Sequence, residues 1–274
     1  MAEGAGVPFA DLFRLNVTEL NIFAEKCTTL IFPLQTPNGR KILIAHNEDW
    51  DPRRNDVFIL KAKMPGVSYL TIAYNGYLPG VSSGINSFGL IHALNFVRPR
   101  DLRSGLSRIF ITRHMVTAPT LADALRWIRN SHRAFGQTIH LAQGSRYIGL
   151  ELTARQVARL PSPLPLAHTN HYVSKSLLQV ATPPGPSTAY RLAAAAALLN
   201  KNGKKIFSRS GAARLARHIL SDRSRWPYSI WREFDSPKDP DATVAAGFFG
   251  TDLHPVELFR RTPSVSQPLR IRVP

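Results

Sequence analysis

The chain has 274 residues, 44% of them hydrophobic and 19% charged, with one cysteine and a net charge of +17. Such a chain holds enough apolar residues for a packed core of about one or two domains, which excludes a disordered protein. A lone cysteine excludes an internal disulfide and fits a reducing compartment, the cytoplasm.

The positive charge draws anionic partners. Its densest regions are Arg98, Arg100, Arg103, Arg108 and Arg113, then Lys201, Lys204, Lys205 and Arg209. Neither is an unbroken block, and no aromatics interleave for base stacking, so most of this charge reads as solvated surface and nucleic acid is not expected. The longest apolar run, Leu192 to Leu199, has eight residues, and a membrane span needs about 18. Residues Met1 to Gly6 lack the basic and apolar regions of a signal peptide.

Residues 1–26 read as a helix with a loop on each side. Pro8 suits a first turn, and Phe9, Leu12, Phe13, Val17 and Leu20 recur at helical spacing. Thr28 to Leu34, the turn Thr36-Pro37-Asn38-Gly39 and Lys41 to His46 read as a β-hairpin, because Asn-Gly tolerates positive φ. An acidic turn, Asn47-Glu48-Asp49-Trp50-Asp51, follows. Hairpin pairing brings it back beside Cys27, with Glu48 and Asp51 expected to be solvated or local turn formers.

Strands are expected at Val57 to Ala62, Val67 to Tyr74 and Ile91 to Phe96, the last fed by the glycine-punctuated stretch Gly80 to Leu90. Leu106 to Arg133 is helical in pattern, broken at Ala118-Pro119-Thr120, with Thr120 capping Leu121 to Asn130. Strands return at Thr138 to Ala142, Tyr147 to Leu152 and Gln156 to Leu160. Helices follow at Thr188 to Leu199 and Gly211 to Leu220, then strands near Ala242 to Phe248 and Val256 to Arg260, and a tail. Blocks of strands alternating with blocks of helices argue α+β layers rather than βαβ winding.

Cys27 opens a strand, and a thiol needs a base to become nucleophilic. A chain cut between Lys26 and Cys27 would supply that base as the freed α-amine. His168 and His171 lie three apart with no acidic third ligand nearby, so they do not read as a metal site. No cofactor motif occurs either.

Cys27-Thr28-Thr29, the Pro-Asn-Gly turn and Asn47-Glu48-Asp49 together resemble the isopenicillin N acyltransferase family of N-terminal nucleophile hydrolases. Gly84-Ile85-Asn86-Ser87-Phe88-Gly89-Leu90 with Leu94-Asn95-Phe96 is similar to a region shared with the more distant bile salt hydrolases and penicillin V acylases. His168-Thr169-Asn170-His171-Tyr172, Ser187 with Arg191, and Tyr228 to Ala245 continue the resemblance in order.

The resemblance implies a four-layer αββα sandwich and an autoproteolytic enzyme that cleaves or transfers an acyl group from an amide or thioester. Cys27 would be the nucleophile, with Lys26–Cys27 the self-cleavage bond. Asp49 would orient the freed amine. Asn170 and the neighbourhood of Asn95 would form the oxyanion hole, and Arg191 would hold the thiolate and carboxylate network by charge pairing. His46 stands where bile salt hydrolases carry arginine. Lys26 stands where the family more often has a small or acidic residue.

On this reading residues 1–26 are the remnant of a longer N-terminal segment, and 27–274 form the catalytic domain. The expected partner is a small acyl donor, an acyl-coenzyme A or an N-acyl amino compound, with neither nucleic acid nor membrane; a homo-oligomer is left open. The competing reading is an unprocessed basic binding module that keeps the fold.

Overall fold

The computed structural model describes residues 1–17, 26–53, 57–161, 163–202, 207–234 and 241–273. Its centre is a long hairpin, β1 (Lys26–Thr36) and β2 (Gly39–Trp50). Gly39 has φ of +86°, which the Asn-Gly turn needs. The register then sets Cys27 opposite Glu48 and Lys26 opposite Asp49.

From Asn47 to Trp50 the acidic stretch is therefore strand, not the expected turn. The reason is tertiary: β11 (Ala242–Gly250) pairs along the other edge of β2, with Thr243 opposite Asp49. A strand paired on both sides satisfies its backbone only by staying extended.

Two sheets result. The first runs β10 (Leu166–His168), β1, β2, β11, β12 (Val256–Phe259), β13 (Leu269–Ile271). The second runs β3 (Val57–Met64), β4 (Val67–Tyr74), β5 (Gly84–Asn86), β6 (Ile91–Phe96), β7 (Gln137–Gln143), β8 (Arg146–Leu152), β9 (Val157–Arg159). All pairings between these named strands are antiparallel.

Strand alternation divides the cores. Ile31, Ile42 and Ile44 meet Leu70, Ile72, Ile85 and Ile91 between the sheets. Leu30, Phe32, Leu43 and Ala45 face outward and pack under Ala195, Leu199, Ala212, Ala216 and Ile219 of the two C-terminal helices, Pro186–Lys201 and Arg209–Leu220. On the far side, Leu94, Ile139, Leu141 and Leu150 pack under Ile111, Met115, Leu121 and Ile128 of helices Arg108–Met115 and Leu121–Asn130. This is the expected αββα sandwich.

At the N-terminus, α1 (Ala2–Ala5) and α2 (Phe9–Leu15) replace the single expected helix. Leu20, the last position of that helical spacing, lies outside the described residues, as do Lys204 and Lys205. Asn16 ties this segment down: its side chain donates to the Gly76 carbonyl and accepts from the Leu78 amide. The expected tail contains β13. Arg108, expected on the solvated surface, is buried with its guanidinium over the Phe96 ring. Long side chains bury their stems and stack in this way.

Candidate active site

Because side chains alternate along a strand, the hairpin splits the site into two halves. Cys27, Thr29, His46 and Glu48 share the inter-sheet face with Ile31 and Ile44. Lys26, Thr28, Asn47 and Asp49 share the helix-facing side with Leu30 and Ala45.

On the inter-sheet side the buried Cys27 thiol lies 3.9 Å from Glu48 Oε1. Glu48 is 2% exposed, which overturns the expectation of a solvated or turn-forming residue. Its carboxylate accepts from Tyr74 Oη at 2.5 Å and from Ser82 Oγ, and meets His46 Nε2 at 2.9 Å. A carboxylate stays in a dry core only when so partnered. Asp51, by contrast, is a local turn former: it accepts from the Arg53 amide and guanidinium.

The network continues from His46 Nδ1 to Thr29 Oγ1 at 2.9 Å, and from Thr29 to the Asn95 side-chain oxygen at 3.0 Å, which also meets His140 Nε2. Asn95 Nδ2 is buried without a hydrogen-bond partner among the described residues. Burial holds His140 well below the ordinary histidine range.

The helix-facing side carries the charge. Arg191, fully buried in the helix Pro186–Lys201, donates to the Cys27 carbonyl at 2.5 Å, to Thr28 Oγ1 at 2.9 Å and to Asn170 Oδ1 at 2.8 Å. Burial pulls its pKa down to about 10, with Asp49 opposing, so it remains a cation at neutral pH. It holds the Cys27 backbone, Thr28 and Asn170 by these hydrogen bonds, and Asp49 and Cys27 act on it as charges.

Asn170 Oδ1 also accepts from the Cys27 backbone N–H at 2.8 Å, and Asn170 Nδ2 donates to the Phe96 carbonyl at 3.1 Å. Asp49 Oδ1 accepts from Thr243 Oγ1 at 2.7 Å, and its Oδ2 lies 3.6 Å from Arg232. Burial raises the Asp49 pKa, while Arg232 and Arg191 pull it down. Lys26 Nζ sits 3.1 Å from Asp241 Oδ2. Beside the Lys26–Cys27 bond lies a cavity of about 190 Å³, lined in part by Lys26, Phe96, Arg98, Asn170, His171 and Thr188.

Cys27, Asp49, Asn170, Arg191 and Lys26 thus gather at one end of the hairpin. Asn95 joins through Thr29 and His46. His168 and His171 diverge: His168 meets Glu151 at 3.0 Å and His171 meets Thr188 at 2.9 Å. Glu151 also accepts from the Val173 and Ser174 amides. Burial would raise its carboxyl, but these bonds and His168 hold it below the usual range. Cys27, His46 and Glu48 place donor atoms within 4.8 Å of one another, a spacing that a metal ion fits, though His46 and Glu48 are hydrogen-bonded to each other.

Sequence reasoning gave no site role to Glu48, Tyr74, Ser82, Arg232 or Asp241, and took Thr243 only as part of a motif of the resemblance. Strand parity pointed to Glu48, since the residue opposite Cys27 shares its face. Arg232 and Asp241 carry no local signal.

The family model described as acyl-coenzyme A:6-aminopenicillanic acid acyl-transferase matches residues 34–255. The chain belongs to that family. It is an enzyme of the acyl-transferring and amide-hydrolysing class, acting on small acyl substrates.

A Drosophila melanogaster relative, the beta-alanyl-dopamine/carcinine hydrolase, is 24% identical over 98% of this chain and 76% of its own length. Among solved structures, the conjugated bile acid hydrolase of Clostridium perfringens superposes with a TM-score of 0.60 at 12% identity, covering 90% of this chain and 92% of that one. The penicillin V acylase of Agrobacterium tumefaciens gives 0.57 at 12% identity, over 89% and 84%. These two likenesses establish the shared fold. The family membership carries the class of reaction.

Proposed function

We propose that the chain is an autoproteolytic cysteine hydrolase or acyltransferase that works through an acyl-enzyme on Cys27. The observation that carries this reading is the arrangement around one peptide bond. The Cys27 thiol faces the Glu48 carboxylate, while its own amide is held by Asn170 and its carbonyl by Arg191.

A thiol at neutral pH is only a few per cent thiolate, and the α-amine base does not exist until the chain is cut. Glu48 is the acceptor at hand for that first step. It takes the thiol proton, the sulfur attacks the Lys26 carbonyl carbon, and the Lys26–Cys27 C–N bond breaks as the nitrogen gains a proton. Water then hydrolyses the thioester, releasing the Lys26 carboxylate and regenerating the thiol.

In later turnovers the freed α-amine, with an ordinary pKa of about 7.7–8, serves as the base. Asp49 and the Asn170 oxygen orient it. The Asn170 and Asn95 side-chain N–H groups are the donors assigned to the developing oxyanion, where each can be worth about 3 kcal/mol. Residues 1–26 are then the released segment and 27–274 the catalytic domain, working in the reducing cytoplasm.

The substrate we assign is an amide of a small amine, as in the Drosophila relative's name; the +17 charge also suits an acyl-coenzyme A donor, whose turnover would fall with salt. The competing reading, an uncut binding module, draws on Lys26, which is locked in β1 by its ion pair to Asp241.

Intact mass under reducing conditions separates the two. The wild type is expected as two chains split before Cys27, and Cys27→Ala as one. A single chain in both removes the α-amine from the mechanism.

A further inference from the structure

The bond expected to break joins the acyl group of lysine to the nitrogen of Cys27. The thioester formed in self-cleavage is therefore a lysyl acyl-enzyme. Whatever holds the Lys26 side chain during that step is an acyl site already built for an amine-bearing acyl group.

The Lys26 side chain is 24% exposed, and its ammonium is 3.1 Å from Asp241 Oδ2, a carboxylate 4% exposed. Asp241 Oδ2 makes no aligned hydrogen bond among the described residues. Its other cation, Arg232, is 3.9 Å away and also sits 3.6 Å from Asp49. Lys26 itself lines the cavity of about 190 Å³, with Phe96, Asn170 and Thr188.

We propose that, once the chain is cut, the seat vacated by Lys26 becomes the acyl pocket, and that Asp241 there receives the ammonium of an ω-aminoacyl group. The substrate class is an N-(ω-aminoacyl) amide with a lysine-like reach from carbonyl to amine. This rests on the self-cleaving reading above and adds to it what the acyl group must carry.

The charges around the seat agree. Lys26, Arg191 and Arg232 face Asp49 and Asp241, three cations against two anions. When Lys26 leaves, two remain on each side, and an incoming ammonium is matched by the oxyanion that forms on the acyl carbon. Burial and Arg232 work to lower the Lys26 pKa, and Asp241 opposes them. An ammonium that stops short of Asp241 meets the penalty without the partner, so the pocket selects by length. The chain's overall positive charge acts at long range and is screened by salt, whereas this contact is not.

The test uses the purified, self-cleaved enzyme and five 4-nitroanilides: β-alanyl, 4-aminobutanoyl, 5-aminopentanoyl, 6-aminohexanoyl and uncharged hexanoyl. The 6-aminohexanoyl anilide, which matches lysine, is expected to exceed hexanoyl in kcat/KM by more than about tenfold. Asp241→Asn should bring that ratio near one. Asp241→Glu, which keeps the charge and sets the carboxylate one methylene further out, should move the optimum to 5-aminopentanoyl. If Asp241→Asn stays uncut, the Asp241→Glu shift decides.

Hexanoyl turned over as well as its amino analogue, or a length preference unmoved by Asp241→Glu, overturns the proposal while leaving the cysteine hydrolase standing. A wild-type chain that is uncut and inert toward all five overturns both.

Discussion

Glu48 touches the thiol, and replacing one of its oxygens tests that contact. Glu48→Gln keeps an acceptor for either Tyr74 or Ser82, which donate to different oxygens, and loses the proton acceptor. Self-cleavage is expected to slow by at least about a hundredfold, read as the cut fraction against time at several pH values, with Cys27→Ala as the uncut standard. An unchanged rate would remove Glu48 from the step. Arg191 is a second residue with a clear expectation. Arg191→Leu strips the donors from the Cys27 carbonyl, Thr28 and Asn170, and should cost about 3 kcal/mol in urea unfolding. A loss under about 1 kcal/mol would mean that water replaces the guanidinium there. The proposed nucleophile was legible as the one cysteine opening a strand. Glu48 was not, because a buried and a solvated carboxylate are written with the same letter.

The element that delivers Cys27 and Glu48 is the β1–β2 hairpin, and its turn is a local device. Gly39 has positive φ and open space where a Cβ would stand, so Gly39→Ala adds backbone strain and no clash. A cost of about 1 kcal/mol is expected in thermal or urea unfolding, with Cys27 still opposite Glu48 and self-cleavage intact. Loss of cleavage at full stability would show that the turn sets the register alone. Most elements were readable for the same local reasons. Val67–Tyr74 and Ile91–Phe96 match their expected bounds, as does Leu121–Asn130, where Thr120 Oγ1 accepts from the Asp123 amide as an N-cap should. The short strands Gly84–Asn86 and Leu166–His168 were not readable, because three residues carry no periodicity and exist only by pairing with a neighbour.

For the whole molecule, the depressed histidines, buried His92 and His140 and half-buried His171, make stability depend on pH. Burial depresses His92 to about 3, with His46 adding, and His171 to about 4, with His168 adding. These rings, and His140 with them, remain neutral in the fold where the unfolded chain has already bound their protons. Below the ordinary histidine pKa of about 6.5 the unfolded state therefore holds more protons, and stability falls as pH falls. The loss for His92 is at most about 1.4 kcal/mol per pH unit and continues toward its folded pKa. Urea midpoints between pH 7.5 and 5 should decrease, and His92→Gln should flatten the slope. A slope that is flat in the wild type would contradict the burial of His92 as a neutral ring.

Sequence alone determined the layers, the hairpin and the place of the one thiol, since strand alternation, an Asn-Gly turn and a cysteine opening a strand act within a few residues. The tertiary structure decided what surrounds that thiol. Arg191, Arg232 and Asp241 reach the Lys26–Cys27 bond only because the strand β11 and the helix Pro186–Lys201 return to the hairpin from far along the chain. Burial there, not residue type, turns ordinary surface charges into a site: a carboxylate or guanidinium out of water must be partnered, and its partners are chosen by the packing of distant segments.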